Sequence, residues 1–292
     1  MKFKTIFTLI YIQLLSGCAR TTFYSPKQLD PNVTYDDVYL IMGQSNASGV
    51  SPQSFLKTSE PAIYQKYSEG NSKVLISYDC DERIESNFVP TKFGFGNTEE
   101  FFGPEIGIAE KIEQERTTYI IKATYSGSCL RTQYVDHQGN TNKLYKRFST
   151  FISKQLFALK SQGKNPRVRG MFWMQGESDT FLDKKDRYQR AERFFVDYIR
   201  EDLNLWIYDY FNFVDAYIFT GGTWPEAEII NDCKQQLADT NEHWYCVKTN
   251  GEDETAIKLN LKSETGEGDD VAHYDSKSEL LLGLTAGEYL LK

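Results

Sequence analysis

Val38-Tyr39-Leu40-Ile41-Met42-Gly43-Gln44-Ser45-Asn46-Ala47-Ser48-Gly49 is the stretch on which the fold turns. Five apolar or β-branched residues read as a buried strand, and Gly43 followed by polar residues reads as a turn into a helix start. A junction of this kind presents Ser45 at the carboxyl end of a sheet, where open α/β folds collect their ligands. Ser45 is therefore a candidate nucleophile, or else the N-cap of a short helix. The Gly-x-Ser-x-Gly elbow is not met, because position 47 is Ala. Support for the chemistry has to come from other segments.

Working outward, strand-like and helix-like segments alternate. Lys73–Ser77, Thr118–Ala123, Val168–Met174, Tyr217–Thr220 and Trp244–Lys248 read as strands. Gly103-Pro104-Glu105 opens a helix with Pro in its first turn. Leu144, Phe148, Phe151, Ile152, Leu156 and Leu159 mark a long amphipathic helix, and Tyr188, Ala191, Phe195 and Ile199 another. A further helix is expected from Trp224-Pro225 to about Thr240, and Ser276-Lys277-Ser278-Glu279 reads as a capping box heading the terminal one. Residues 50–72 and 79–102 show no clear period. The alternation predicts a mostly parallel sheet covered on both faces, a doubly wound three-layer α/β/α domain over residues 36–292.

The amino terminus reads differently. Lys2 and Lys4 precede an apolar run ending in Leu15-Ser16-Gly17-Cys18. That run is too short to span a bilayer, and its end resembles a bacterial lipobox, in which the Cys becomes the lipid-bearing first residue. Residues 1–18 are expected to be a lipoprotein signal peptide, residues 19–35 a polar tether, and the protein an exported, membrane-anchored one on the periplasmic or cell-surface side. The rest fits a single globular domain: 40% hydrophobic and 14% aromatic residues exclude disorder. A net charge of −8 argues against nucleic acid, and against any membrane contact beyond the lipid anchor. Besides Cys18 there are four cysteines. In an exported chain an even number suggests two disulfides, and Cys233–Cys246, close in sequence, leaves Cys80–Cys129. The alternative is four buried thiols. No cysteine pair has metal-ligand spacing, and neither a metal nor a cofactor is expected.

If Ser45 attacks an ester it needs a base. His137 lies in a polar loop and His243 at a strand start. His273 stands three residues after Asp270, which could accept from its Nδ1 and leave Nε2 toward the serine. Gly127, in Tyr125-Ser126-Gly127-Ser128, could offer a backbone N–H to a developing oxyanion, and Gln175 a side-chain amide. Glu177 could replace Asp270 as acid partner or serve as a structural carboxylate. Trp173, Tyr125 and Phe93 could stack on sugar rings or fill the core.

Taken in order, Gly43-Gln44-Ser45-Asn46, Phe102-Gly103-Pro104-Glu105, Ser126-Gly127-Ser128, Trp173-Met174-Gln175-Gly176-Glu177-Ser178-Asp179 and Asp270-x-x-His273 resemble the sequence blocks of the sialate O-acetylesterase-like carbohydrate esterases. These belong to the SGNH (GDSL-like) hydrolase superfamily. The resemblance implies a flavodoxin-like domain and a serine esterase that removes O-acetyl groups from a carbohydrate through an acyl-enzyme. It assigns Ser45 as nucleophile, His273 as base and Asp270 as its orienter. The Ser45 N–H, the Gly127 N–H and the Gln175 side chain would form the oxyanion hole. One departure is Tyr125-Ser126-Gly127, where relatives often show a Gly pair; a Cys80–Cys129 bond would tie this loop to residues 79–102. Competing readings are a lipase or thioesterase on the same fold, or an inactive glycan-binding lipoprotein.

Overall fold

A computed structural model describes residues 26–292; the signal peptide, Cys18 and part of the tether lie outside the described residues. In chain order the elements are β1 (Asp36–Gly43), α1 (Ser45–Ser48), β2 (Ser51–Pro52), α2 (Leu56–Ser59), α3 (Pro61–Glu69), β3 (Asn71–Cys80) and β4 (Arg83–Thr91). They continue with β5 (Phe101–Phe102), α4 (Glu105–Ile112), β6 (Thr118–Thr124), α5 (Lys143–Ser161), β7 (Pro166–Met174) and α6 (Arg187–Asp202). The last are β8 (Asn212–Ala216), α7 (Ala227–Thr240), β9 (Trp244–Val247), α8 (Lys262–Thr265) and α9 (Ser276–Leu290).

Seven strands form one sheet in the order β4-β3-β6-β1-β7-β8-β9. All neighbours are parallel except the β3–β4 hairpin at one edge. Without that hairpin the order is flavodoxin-like, with β1 at the point where the chain reverses its direction of winding. Helices α4 and α9 pack on one face and α5, α6 and α7 on the other, completing the three layers. β1 is apolar on both sides of the pleat because both faces are covered: Val38, Leu40, Ile41 and Met42 are fully buried.

The register explains why sequence blocks far apart come together. Gly43, the last residue of β1, stands opposite Thr124 at the end of β6 and Met174 at the end of β7. Three strands stop level with one another, so Gln44-Ser45, Tyr125-Ser126-Gly127 and Gln175-Gly176-Glu177 leave the sheet side by side.

Three local expectations are corrected. Residues 83–91 form an edge strand rather than an irregular loop; its polar sequence and Pro90 suit an exposed sheet edge. The strand expected at 217–220 lies at Asn212–Ala216 instead. Beyond it the backbone of Ile218 is held by the Asn231 side chain, which donates to its carbonyl and accepts from its N–H, replacing a neighbouring strand. The terminal helix is capped by Asp275, which accepts from Ser278 N–H at 2.7 Å. Ser276 instead donates to Pro52 C=O, and Glu279 is buried.

Candidate active site

Ser45 opens α1 directly after the Gly43 turn and is 8% exposed. Gln44 N–H donates to Met174 C=O at 2.9 Å and Tyr125 N–H to Gly43 C=O at 3.0 Å, so both neighbouring strand ends fix this turn. The Asn46 side chain donates to Glu177 Oε1 at 3.0 Å. Glu177 is fully buried, its second oxygen has no partner among the described residues, and burial raises its carboxyl above the usual range. It braces the helix that Ser45 opens.

His273 and Asp270 sit in the loop before α9. Asp270 Oδ2 lies 2.8 Å from His273 Nδ1 and 2.7 Å from Lys262 Nζ, while Oδ1 accepts from Ala272 N–H and His273 N–H. Partial burial pushes the Asp270 carboxyl up, but the Lys262 ammonium, the Ala272 N–H and His273 outweigh it and bring it down to about 2. A carboxylate favoured in its ionised form contributes fully to stability above its unfolded value of about 4, and loses that contribution as pH falls toward 2. Facing an ionised carboxylate, Nδ1 carries the hydrogen, which leaves Nε2 as a base.

This loop is stitched to the segment that follows Ser45. Ser51 Oγ donates to Tyr274 C=O at 2.8 Å, Ser276 Oγ to Pro52 C=O at 2.7 Å, and Lys262 Nζ to Val50 C=O at 3.1 Å. His273 is also close enough to Glu177 to act on its charge. The structure therefore brings Ser45, Glu177, Asp270 and His273 to one corner of the sheet. Among the described residues no hydrogen bond joins Ser45 Oγ to His273, whose Nδ1 is held by Asp270.

Gly127 lies in a turn with φ +65°, a conformation that favours glycine, and its N–H has no acceptor among the described residues. Gln175 does not share that freedom. It is fully buried, and its Nε2 donates to Ser128 C=O at 2.9 Å, Asp179 Oδ2 at 2.9 Å and Gln44 Oε1 at 3.2 Å. Tyr188 OH donates to its Oε1 at 3.1 Å. With its amide hydrogens already engaged, Gln175 is a brace rather than a free donor.

What it braces is Gln44. Ser128 C=O and Asp179 carboxylate only accept, so the Gln175 amide nitrogen must face them, and the Gln44 atom meeting that nitrogen must be oxygen. Ser178 N–H donates to the same Gln44 oxygen at 3.3 Å. Gln44 Nε2 then lies on the other edge with no acceptor among the described residues. Sequence reasoning passed over this residue although it adjoins Ser45; two amides at neighbouring strand ends cannot be ranked until one is seen to hold the other.

The four thiols Cys80, Cys129, Cys233 and Cys246 are free, so neither Cys233–Cys246 nor Cys80–Cys129 is formed. Each faces its own surroundings: Cys80 the Ser48 carbonyl, Cys129 the Asp179 carboxylate, Cys233 the Asp186 carbonyl, and Cys246 the buried Asp215–Lys234 pair. The Gly127 loop is tied to the β3–β4 hairpin all the same. Asp81 accepts from Ser126 N–H at 2.6 Å and Ser126 Oγ at 2.8 Å, and Asp79 accepts from Tyr125 OH at 2.8 Å. Carboxylates do there what a disulfide was expected to do.

Trp173, Tyr125 and Phe93 belong to the core. His243 is structural, with Nδ1 3.0 Å from Asn212 Oδ1 and its ring stacked on Tyr210. Near the His273 loop exposed Phe181 meets half-buried Trp224, ring centres 5.9 Å apart; Thr223 Oγ1 donates to Val271 C=O and joins that loop to His273's.

Comparison with known proteins agrees with this architecture. Two solved structures share the fold: a protein from Arabidopsis thaliana, 17% identical with a TM-score of 0.64, covering 88% of this chain and 98% of its own; and NanS, 14% identical with a TM-score of 0.62, covering 88% and 97%. Among curated proteins there is no significant match. A family model described as "Carbohydrate esterase, sialic acid-specific acetylesterase" matches residues 35–292. Nearly the whole described chain thus falls under one model, and the protein belongs to the SASA family of carbohydrate esterases, as an acetylesterase.

Proposed function

We propose that the protein removes O-acetyl groups from a sugar through an acyl-enzyme on Ser45. His273 Nε2 takes the Ser45 proton as Oγ attacks the acetyl carbonyl, and Asp270 stabilises the imidazolium that forms. The oxyanion is met by Ser45 N–H, Gly127 N–H and Gln44 Nε2, with Gln175 holding the Gln44 amide the right way round. Protonated His273 gives its proton to the departing sugar oxygen. Water, deprotonated by His273, then releases acetate from Ser45. The observation that carries this reading is the Asp270–His273 pair bonded at 2.8 Å and laced to the segment after Ser45.

The deciding experiment is acetate release from an ester panel, with O-acetyl sialic acid, acetylated xylan and 4-nitrophenyl acetate beside longer acyl esters. Ser45→Ala is expected to abolish turnover; full activity in that variant would end the proposal. Preference for long acyl chains would favour a lipase or thioesterase, and glycan binding without turnover an inactive lectin-like protein. Gln44→Ala is expected to lower kcat by about 10²- to 10³-fold with KM little changed, as for loss of one oxyanion donor. We further propose that Cys18 carries a lipid anchor outside the cytoplasm. Labelled palmitate should enter the wild-type chain and not Cys18→Ala.

A further inference from the structure

Lys262 has no place in the triad, yet it touches Asp270, His273 and the segment that follows Ser45. It heads α8 and is 6% exposed. Its ammonium lies 2.7 Å from Asp270 Oδ2 and donates to Val50 C=O at 3.1 Å, and it stands 5.5 Å from the centre of the Phe101 ring. Its backbone N–H donates to His273 C=O at 3.1 Å, and the next N–H, that of Ser263, donates to Asp270 C=O at 3.1 Å. One residue therefore holds the acid's side chain, the histidine's backbone and a carbonyl five residues beyond the nucleophile.

A buried ammonium is costly to desolvate and persists only where its partners are well placed. Here the partners are one carboxylate and one carbonyl from segments more than two hundred residues apart in sequence. The Asp270–Val50 span can form only when the His273 loop and the Ser45 segment are in register. A Leu or Met in this position would fill the same space without linking the two.

We infer that Lys262 is a positioning residue for ester hydrolysis: its ammonium bridges Asp270 to the Val50 carbonyl, sets the approach of His273 to Ser45, and tempers the charge that Asp270 presents to the imidazole. This rests on the esterase reading above. The charged groups around the bridge are Asp270 and His273 in the same loop, Glu267 between that loop and α8, Glu279 on α9 and Glu177 after β7. Among the described residues the ion pairs of Asp270 are with Lys262 and, when its ring is protonated, His273. Removing Lys262 leaves Asp270 acting on the imidazole alone, which favours the protonated ring. The acid limb of kcat/KM should then move to higher pH.

The test is the pH dependence of kcat and KM on 4-nitrophenyl acetate and on an O-acetylated sugar, for wild type, Lys262→Met, Lys262→Gln and Lys262→Arg. The methionine variant is expected to lose about 10- to 100-fold in kcat, the size of effect that small misplacement of reacting groups produces, with KM within about two-fold. Its acid limb should rise. Lys262→Gln keeps a donor without the charge, and should show the same upward limb with a smaller loss of kcat; it serves alone if the methionine variant does not fold. Lys262→Arg should recover most of kcat and the wild-type limb. A merely structural lysine would lower the melting temperature and the yield of active enzyme but leave the pH profile in place, and that outcome overturns the inference. A wild-type enzyme that hydrolyses the esters, with neutral variants keeping its kcat and limb, sinks this inference alone. A wild-type enzyme inactive on every ester sinks the esterase reading and this inference with it.

Discussion

Asp270→Asn is expected to lower kcat by about 10⁴-fold while leaving KM within a few-fold, the size of loss seen when a triad loses its carboxylate but keeps its shape. The local geometry makes this substitution unusually unforgiving. All four contacts to the Asp270 carboxyl are donors: Lys262 Nζ and His273 Nδ1 at Oδ2, Ala272 N–H and His273 N–H at Oδ1. An amide has one accepting and one donating end, so either orientation sets its NH₂ against two donors. With NH₂ on the Oδ2 side, it meets the ammonium and turns the imidazole to the wrong tautomer. With NH₂ on the Oδ1 side, it breaks the loop that presents the ring. Steady-state kinetics on an acetyl ester, with the melting temperature recorded alongside, checks this. A loss under about ten-fold would move the acid's role elsewhere, and Glu177→Gln would be the next variant to examine. Because Asp270 is ionised down to about pH 2, its own titration should not shape the activity profile anywhere above about pH 3.

Much of this site could be read from the chain before folding, and the reasons are physical. The apolar run 38–42, buried on both faces, has no alternation and so announces a central parallel strand. Gly43 and Gly127 mark turns because only glycine tolerates their backbone angles cheaply, +142° and +65°. Asp270 and His273 are three residues apart, a local pairing that spacing alone can propose. What spacing cannot show is a contact set by tertiary register. Gln44 and Gln175 are both amides beside strand ends, and the direction of the hydrogen bond between them distinguishes donor from brace. Lys262 reaches Val50 across 212 positions, and nothing near it in sequence signals that.

The disulfides failed for a related reason. Parity and an exported chain say that thiols could pair, but pairing needs Cβ vectors that converge, and these four point into different neighbourhoods. The edge strand at 83–91 was missed because exposed edges carry the polar, proline-containing sequences that elsewhere mean loop. That strand lies at the sheet's edge; Ser45 and Glu177 follow the central strands β1 and β7, where burial leaves the sequence less choice.

The second large effect expected is structural, from Gly43→Ala. A Cβ at this position would stand 2.0 Å from Met174 O, 2.7 Å from Met174 C and 2.8 Å from Ala47 Cβ. The first two are backbone atoms of β7, held in the ladder to β1 and by Gln44 N–H at 2.9 Å, so they cannot swing aside as a side-chain tip could. Backbone strain at φ +142° adds to the overlap. Strain and overpacking together cost on the order of 3 to 5 kcal/mol, a large fraction of a domain's usual margin. A melting temperature lower by roughly 10 °C or more is expected, with turnover lost because the Gln44 N–H bond to Met174 C=O and the Tyr125 N–H bond to Gly43 C=O fix the turn that presents Ser45. Gly127→Ala is the matched comparison. Its φ of +65° is also left-handed, yet an added Cβ there meets nothing within 4 Å. That variant should lose only about 1 to 2 kcal/mol, and any larger fall in kcat would report on its N–H as an oxyanion donor. If Gly43→Ala melted within about 2 °C of wild type and kept its turnover, the close approach of β1 to the end of β7 would not be what positions Ser45.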